Sequence, residues 1–264
     1  MHQKISVIVC GFNEKEVVIS RSLASVEMQD YSNMEVFFID DSGKERFRAL
    51  VEKKFSDFFY IPSSFHNNAK ALNLGISRSS GTYIAILDGD DEWIHHQKLT
   101  LQIDFLEKNN DYAALGTGIE IKYPDGKTVI KDFSDKKNIT ENLLLENPVC
   151  HSSVLFRRSS IEKVTQQNSK YGIMTVYDPA LKRGKDWDLL LSVGTVGKIG
   201  VLPNICTRYY QDQRKKRWRD ARIGMYIVLK HRKKYSHWMR VFATQTCRFV
   251  IFFVLEKIFG YEKI

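Results

Sequence analysis

Residues 85–94 read AILDGDDEWI, an apolar run that delivers Asp88, Asp90 and Asp91 within four positions. Carboxylates this close raise one another's pKa, and a cation among them relieves the repulsion. An all-oxygen donor set is hard, so it suits Mg²⁺ or Mn²⁺ and not zinc. Such ions commonly bridge one or two carboxylates to a substrate phosphate, which makes a nucleoside diphosphate the natural third party. A solvated acidic turn is the competing reading of the same residues. A second pair of carboxylates, Asp186 and Asp188, lies in GKDWDLLLSVG (184–194), in the first turn of an expected helix. The helix dipole alone favours carboxylates there, and a general base is the chemical alternative.

The elements that must position these groups are legible from periodicity. ISVIVCGF (5–12), MEVFFIDDSG (34–43), FFYIP (58–62) and TYIAILDGDD (82–91) read as strands buried on both faces. Between them, NEKEVVISRSLASVEMQ, with Asn13 as N-cap and apolar positions 17, 18, 23 and 26, reads as a helix. FRALVEKKF, NNAKALNLGISRSS and HHQKLTLQIDFLEKN (95–109) read as helices as well. Alternation of this kind predicts a doubly wound, mostly parallel sheet flanked by helices, with ligands at the carboxyl ends of its strands. Asn13, Asp40 and Asp41, and Asp88, Asp90 and Asp91 all fall at such ends. Further on, 112–133 predicts two strands joined across Pro124-Asp125-Gly126, and 148–164 predicts a strand and then a helix.

The 264 residues carry a formal charge of +9, unevenly distributed. Residues 205–264 hold 15 Lys and Arg against 4 Asp and Glu, which leaves 25 basic and 27 acidic residues in 1–204. A basic tail calls for an anionic partner. In 220–261 the basic residues alternate with Trp238, Phe249, Phe252 and Phe253, a pattern suited to helices lying in a membrane interface. The longest apolar run, FVIFFVL (249–255), falls far short of a spanning helix. A helical pair packed on the main domain or on a second copy of the chain is the other reading. No nucleic-acid module accompanies the charge, so nucleic acid is excluded as the expected partner. Four dispersed cysteines without ligand spacing, with Cys10 and Cys150 in apolar contexts, predict free buried thiols in a reducing cytoplasm. The N-terminal MHQKISVIVCGFNE reads as a strand and not a signal peptide.

SVIVCGFNE, EVFFIDDSG, ALNLGISRSSGTYIAILDGDDEW and HSSVLFRR occur in this order and spacing. Through them the chain closely resembles the inverting family-2 glycosyltransferases of the GT-A fold, of the bacterial polysaccharide or glycolipid type, over roughly residues 4–210. That resemblance implies a GT-A-like catalytic domain at 1–210, with a nucleotide-binding half (1–110) and an acceptor half (111–210), and a basic helical appendage at 211–264. It places Asp41 at the nucleoside base with Asp40 close by, Asp90 on the metal, and Asp88 on the ribose or metal. Asp186 falls on the position of the general base. Phe12 and Asn13 stand where the family has Tyr-Asn, and the family's preceding Pro-Thr is here Cys10-Gly11. Lys185 replaces the family's Glu before the catalytic Asp. His151 would face the acceptor or serve the structure, and Lys70 and Asn68 would touch nucleotide or lie on an exposed helix face. QRKKRW (213–218) has one residue too many for the Gln-x-x-Arg-Trp motif of processive relatives, leaving 214–219 as a possible basic loop over the diphosphate.

The expected activity is metal-dependent, inverting transfer of a sugar from a nucleotide-diphosphate sugar, UDP-linked first among them. The acceptor is a hydroxyl of a glycan or lipid-linked saccharide, at the inner face of the cell membrane. Mn²⁺ or Mg²⁺ is the cofactor, and a homo-oligomer is compatible. A nucleotidyltransferase is the enzymatic alternative, although CGFNEKE is not the Gly-rich basic loop such enzymes need. A non-catalytic nucleotide- or sugar-binding relative is the other.

Overall fold

The computed structural model describes residues 3–133, 139–165, 175–211 and 218–258. In its first part β1 (Ile5–Gly11), β2 (Met34–Asp40), β3 (Phe59–Pro62) and β4 (Tyr83–Asp88) alternate with α1 (Glu16–Glu27), α2 (Arg48–Lys54) and α3 (Asn68–Arg78). The short β5 (Glu92–Trp93) and α4 (Lys98–Lys108) follow. Next come β6 (Tyr112–Lys122), β7 (Thr128–Lys131), β8 (Leu155–Arg157), α5 (Arg158–Thr165), α6 (Lys185–Val193) and β9 (Lys198–Tyr210). α7 (Trp218–His231) and α8 (Trp238–Ile258) close the described chain.

One sheet runs through the molecule in the order β3-β2-β1-β4-β8-β6-β9-β5, with β7 beside β6. β3, β2, β1 and β4 are parallel, as their uninterrupted apolar character predicts. Ile5, Val7 and Val9 enter one core with Leu23, Phe38 and Leu87, while Ile8 and Cys10 enter the other with Ile39, Leu72 and Ile86. Beyond β4 the sheet is mixed: β8 is antiparallel to β4 and β6, whereas β6 and β9 are parallel.

Three sequence expectations need correction. α1 starts at Glu16 after Lys15, without a side-chain cap, so Asn13 lies outside the helix. Its buried face is Ile19, Leu23 and Val26, at helical spacing, and Val17 is exposed. Of the thiols, Cys10 and Cys206 are buried, Cys150 is half-buried and Cys247 is exposed, and all four are free. β9 has no counterpart in the sequence reading because Pro203 interrupts its pattern. The ladder accommodates Pro203 and Asn204 by shifting register between Thr117 and Ile119, which is where a strand tolerates proline.

The tail packs as a helical pair against α6. Tyr235 donates its hydroxyl to the Leu191 carbonyl at 2.9 Å, and the buried Gln245 donates to the Leu145 carbonyl at 3.2 Å. The outer side of the pair stays open, with Met239, Val250, Ile251, Phe253 and Val254 of α8 exposed. Among the described residues no helix is long and apolar enough to cross a membrane.

A buried polar strut joins the two halves of the sheet. Lys98 is fully buried; its ammonium donates to Gln102 Oε1 at 2.7 Å and lies 4.2 Å from the centre of the Trp93 ring. Gln102 in turn donates to the carbonyls of Leu115 and Ser153. Burial pulls the Lys98 ammonium down to about 7. The folded protein therefore holds this proton less tightly than the unfolded chain, and the contribution of Lys98 to stability rises with pH above 7. Between pH 7 and pH 8.5 the wild type is expected to gain about 1–2 kcal/mol relative to Lys98→Met, read from denaturant melts at the two pH values. An unchanged difference would show that the amine is not strained by its burial.

Candidate functional site

The loop after β4 solves its charge problem by separating the three carboxylates. A short 3₁₀ turn at His151–Ser153 lies directly beneath it. Ser152 Oγ donates to the Asp91 carboxylate and accepts from the Asp88 backbone N–H at 3.1 Å. The Tyr210 N–H also donates to Asp91, at 3.1 Å, and the Trp93 indole N–H fixes the turn through the Ser152 carbonyl at 2.7 Å. Asp91 is thus buried at the floor of the site and held by protein donors, where burial and the Asp90 and Asp88 charges push its carboxyl well up.

Asp88 is held differently. Its Oδ2 lies 2.9 Å from His151 Nδ1, and His151 Nε2 lies 2.8 Å from the Tyr177 hydroxyl. The Nδ1–H of His151 donates to Asp88, which leaves Nε2 facing the Tyr177 hydroxyl. Burial acts to raise the Asp88 carboxyl, but His151 and then Lys185 outweigh it and bring it down to about 2. Asp90 opens toward solvent, and desolvation by its surroundings followed by the Asp88 charge pushes its carboxyl up to about 6. The pair is therefore an ionised carboxylate beside one that resists ionisation, an arrangement that a divalent cation relieves. Among the described residues no group of three or more His, Cys, Asp or Glu forms a complete cage. Two oxygen donors from Asp88 and Asp90 fit an ion that takes its remaining ligands from substrate phosphate and water. Gly89 is required here, because a Cβ would lie 2.7 Å from the Cys10 carbonyl oxygen.

Asp186 reaches the same place from another part of the chain. α6 begins after Gly184 at φ +70°, where a Cβ would also lie 2.8 Å from Ile227. Asn147 donates its amide to Asp186 Oδ2 at 2.9 Å. Asp88, Asp91, His151 and Asp186 all line one cavity of about 450 Å³, together with Asn147, Lys185, Trp187, Tyr209 and Gln211. Two residues along, Asp188 has no share in it. It is buried and takes hydrogen bonds from Lys230 Nζ and His231 Nε2, each at 2.9 Å, which anchors α7 to α6. Burial opposes the Asp188 charge, but His231 and Lys230 hold its carboxyl below the usual range.

The remaining candidates cluster elsewhere, at the carboxyl ends of β1 and β2. Phe12 is exposed, with its ring 5.6 Å from that of His66, which adopts φ +48°. Asn13 is exposed next to it, and Lys70 lies on the exposed start of α3, 6.0 Å from the Phe65 ring. Asp40 and Asp41 are buried and committed to protein donors. Asp40 accepts from the Ser42 and Phe47 amides and the Tyr60 hydroxyl. Asp41 accepts from the Ser63 hydroxyl and the Phe65 and Asn67 amides. Both therefore shape the loops around this end. The segment 213–217 lies outside the described residues.

Sequence reasoning did not single out Asn147, Ser152 or Tyr177. The HSS triplet marks the turn that bears Ser152. Asn147 and Tyr177 are ordinary loop residues whose partners lie 39 and 26 positions away.

The family model for Glycosyl transferase family 2 matches residues 6–165. Over 148 residues the chain is 33% identical to the UDP-Glc:alpha-D-GlcNAc-diphosphoundecaprenol beta-1,3-glucosyltransferase WfgD of Escherichia coli, covering 54% of this chain and 55% of that protein. The first three curated relatives are matched over 16%, 64% and 55% of their length, so the chain spans less than two thirds of each. The fold is similar to that of S. aureus TarS 1–349 in complex with UDP-GlcNAc, with TM-score 0.66 and 18% identity over 92% of this chain and 71% of that one. It is also similar to the mannosyltransferase PcManGT of Pyrobaculum calidifontis in complex with GDP-Man and Mn2+, with TM-score 0.66 and 16% identity over 94% and 70%.

The two α6 carboxylates should separate in a melt. Asp188→Asn leaves Lys230 and His231 facing a weakened partner and is expected to cost on the order of 3 kcal/mol. Asp186→Asn, on a half-exposed side chain, is expected to change stability by less than about 1 kcal/mol. Equal losses in urea unfolding would make Asp186 a structural carboxylate.

Proposed function

Since the chain belongs to glycosyl transferase family 2, we propose that it transfers a sugar from a nucleoside-diphosphate sugar to a hydroxyl of a glycan or lipid-linked saccharide, with inversion at the anomeric carbon. The carrying observation is that Asp88 and Asp186, contributed by different halves of the sequence, line one cavity. Direct displacement needs a base at the incoming hydroxyl and a positive charge at the departing diphosphate. Asp186 takes the hydroxyl proton, and Asn147 orients its carboxylate. Asp88 and Asp90 would hold Mn²⁺ or Mg²⁺, which would stabilise the charge on the leaving diphosphate. His151 and Tyr177 fix the rotamer of Asp88. The nucleoside lies at the ends of β1 and β2, near Phe12, Asn13 and Lys70, within the loops that Asp40 and Asp41 organise.

The UDP-sugars in the names of the E. coli relative and the TarS complex favour UDP as carrier. The Mn2+ of the mannosyltransferase complex favours a metal. The diphosphoundecaprenol of the E. coli relative supports a lipid-linked acceptor. In this reading residues 1–110 form the donor half and 111–210 the acceptor half. The appendage, 211–264, lies against the cytoplasmic face of a membrane. The exposed apolar residues of α8, with the exposed Arg232, Lys233, Lys234 and Arg240 before and at its start, suit an anionic lipid surface. A second copy of the chain is the competing occupant of that face.

Calorimetric titration with UDP, GDP, dTDP and CMP, with and without Mn²⁺, tests the donor site. UDP is expected to bind only with Mn²⁺ and to lose at least tenfold in affinity in Asp90→Ala. If none of the four binds, the donor-site reading fails. Asp186→Asn should retain UDP binding and lose about 10²–10⁴ in turnover. Unchanged function in that variant would point instead to a non-catalytic binding protein.

A further inference from the structure

A second cavity, of about 550 Å³, adjoins the first and is not needed for the donor or for the base. Lys131, Asn147, Pro148, Gly184 and Trp187 line both, so β7, the 147–148 segment and the start of α6 form the wall they share. Its size falls within the range of small-ligand sites. The far side is built by the appendage: Ile223 and Gly224 of α7, and Gln245, Arg248 and Phe252 of α8. Gln245 ties α8 to the 145–148 segment through the Leu145 carbonyl, and a Cβ on Gly224 would lie 3.1 Å from Gln245 Oε1. The helices are therefore drawn together at this point.

The lining has two characters. Among the described residues, Lys131 and Arg248 bring cations to the lining, with Arg183 and the carboxylate of Glu146 beside them. Phe133, Leu145, Trp187, Ile223 and Phe252 supply apolar surface. Arg248 and Phe252 stand four residues apart, on one face of α8. Between and just after them the same helix exposes Val250, Ile251, Phe253 and Val254. A neutral glycan would leave the charge of these cations unmatched and the aliphatic part of the wall uncovered. An anionic amphiphile would use both, because guanidinium forks match phosphoryl oxygens and apolar walls accept alkyl chain.

We infer that this cavity receives the diphosphate and the adjoining hydrocarbon of a lipid-diphosphate-linked acceptor. Its saccharide crosses the shared wall so that the reacting hydroxyl meets Asp186. The inference rests on the glycosyltransferase reading above and specifies where its acceptor is gripped. Arg248 and Lys131 hold the diphosphate, Phe252 and Ile223 contact the first carbons of the chain, and Trp187 presents its ring at the crossing. The appendage is then part of the acceptor site, and its exposed apolar end lies where the lipid would leave the protein.

The test uses the whole chain with farnesyl diphosphate, inorganic diphosphate and farnesol as probes, titrated by calorimetry below the aggregation threshold of the lipids. Farnesyl diphosphate is expected to bind at least tenfold more tightly than either fragment, and Arg248→Ala is expected to weaken it at least tenfold. UDP binding in that variant should stay within twofold of wild type. Equal binding of inorganic and farnesyl diphosphate, identical binding by Arg248→Ala, or no binding at all would overturn the inference. Transfer assays separate this failure from failure of the underlying reading. With a synthetic lipid-diphosphate saccharide as acceptor, Arg248→Ala is expected to raise KM at least tenfold with kcat within threefold. If wild type uses that acceptor and the variant shows the same KM, the cavity assignment falls while the glycosyltransferase reading stands. Sugar transfer by wild type only to lipid-free glycans would overturn the lipid site and the lipid-linked acceptor together.

Discussion

Three negative charges within four residues cannot occupy one environment, and much of the site follows from how the fold separates them. Asp91 is buried and held by Ser152 and the Tyr210 amide. Asp88 is tethered by His151. Asp90 is left facing outward with its ionisation suppressed. The three carboxylates of the strand end thus sit in three different environments, and the outward-facing Asp90 is one whose ionisation a nearby cation would favour. Had Asp91 faced outward as well, the loop would carry a third charge with no donor to oppose it.

The turn that performs this separation is itself held by the interior. Ser153 accepts from Gln102 through its carbonyl, Gln102 is bridged to Lys98, and Lys98 lies against Trp93, whose indole returns to the Ser152 carbonyl. This closed circuit of buried polar contacts connects α4, β5 and the 151–153 turn. Each contact is modest, but leaving any buried member unpartnered costs more than the contact itself contributes. A charged amine in the core is thereby tolerated in a place where a leucine would pack more easily. The rigidity it supports lies directly beneath the loop that bears Asp88 and Asp90.

The parallel half of the sheet was legible in the sequence because its strands are covered on both sides, so apolar residues run without interruption through β1, β2 and β4. The first turn of α6 was legible because GKDWDLL places its carboxylates at a helix start. What was not legible depends on distance or on competition among identical residues. Nothing local tells Asp91 from Asp90, since only Ser152 and Tyr210, arriving from 61 and 119 positions away, decide which one is held by protein donors. Asp40 and Asp41 stand where nucleoside contacts were expected, and the loop amides that they also bind could not be foreseen from their own segment. β9 escaped notice because Pro203 and Asn204 break its alternation, and only the neighbouring β6, by shifting register, makes a strand of it. Lys230 and His231 read as part of a diffuse basic tail, whereas they form a specific clasp on Asp188.

That clasp has a mechanical consequence. Residues two apart on a helix project about 200° from each other, so Asp186 and Asp188 point to opposite sides of the same turn of α6. One side faces the cavity and the other is gripped by α7. A short helix transmits rotation along its axis with little internal give, because its backbone hydrogen bonds resist twisting. The two carboxylates therefore turn together: a roll of α7 across α6 would swing Asp186 through the same angle. The angle at which Asp186 faces the cavity is thus set from the far side of its helix, by a lysine and a histidine that do not line that cavity.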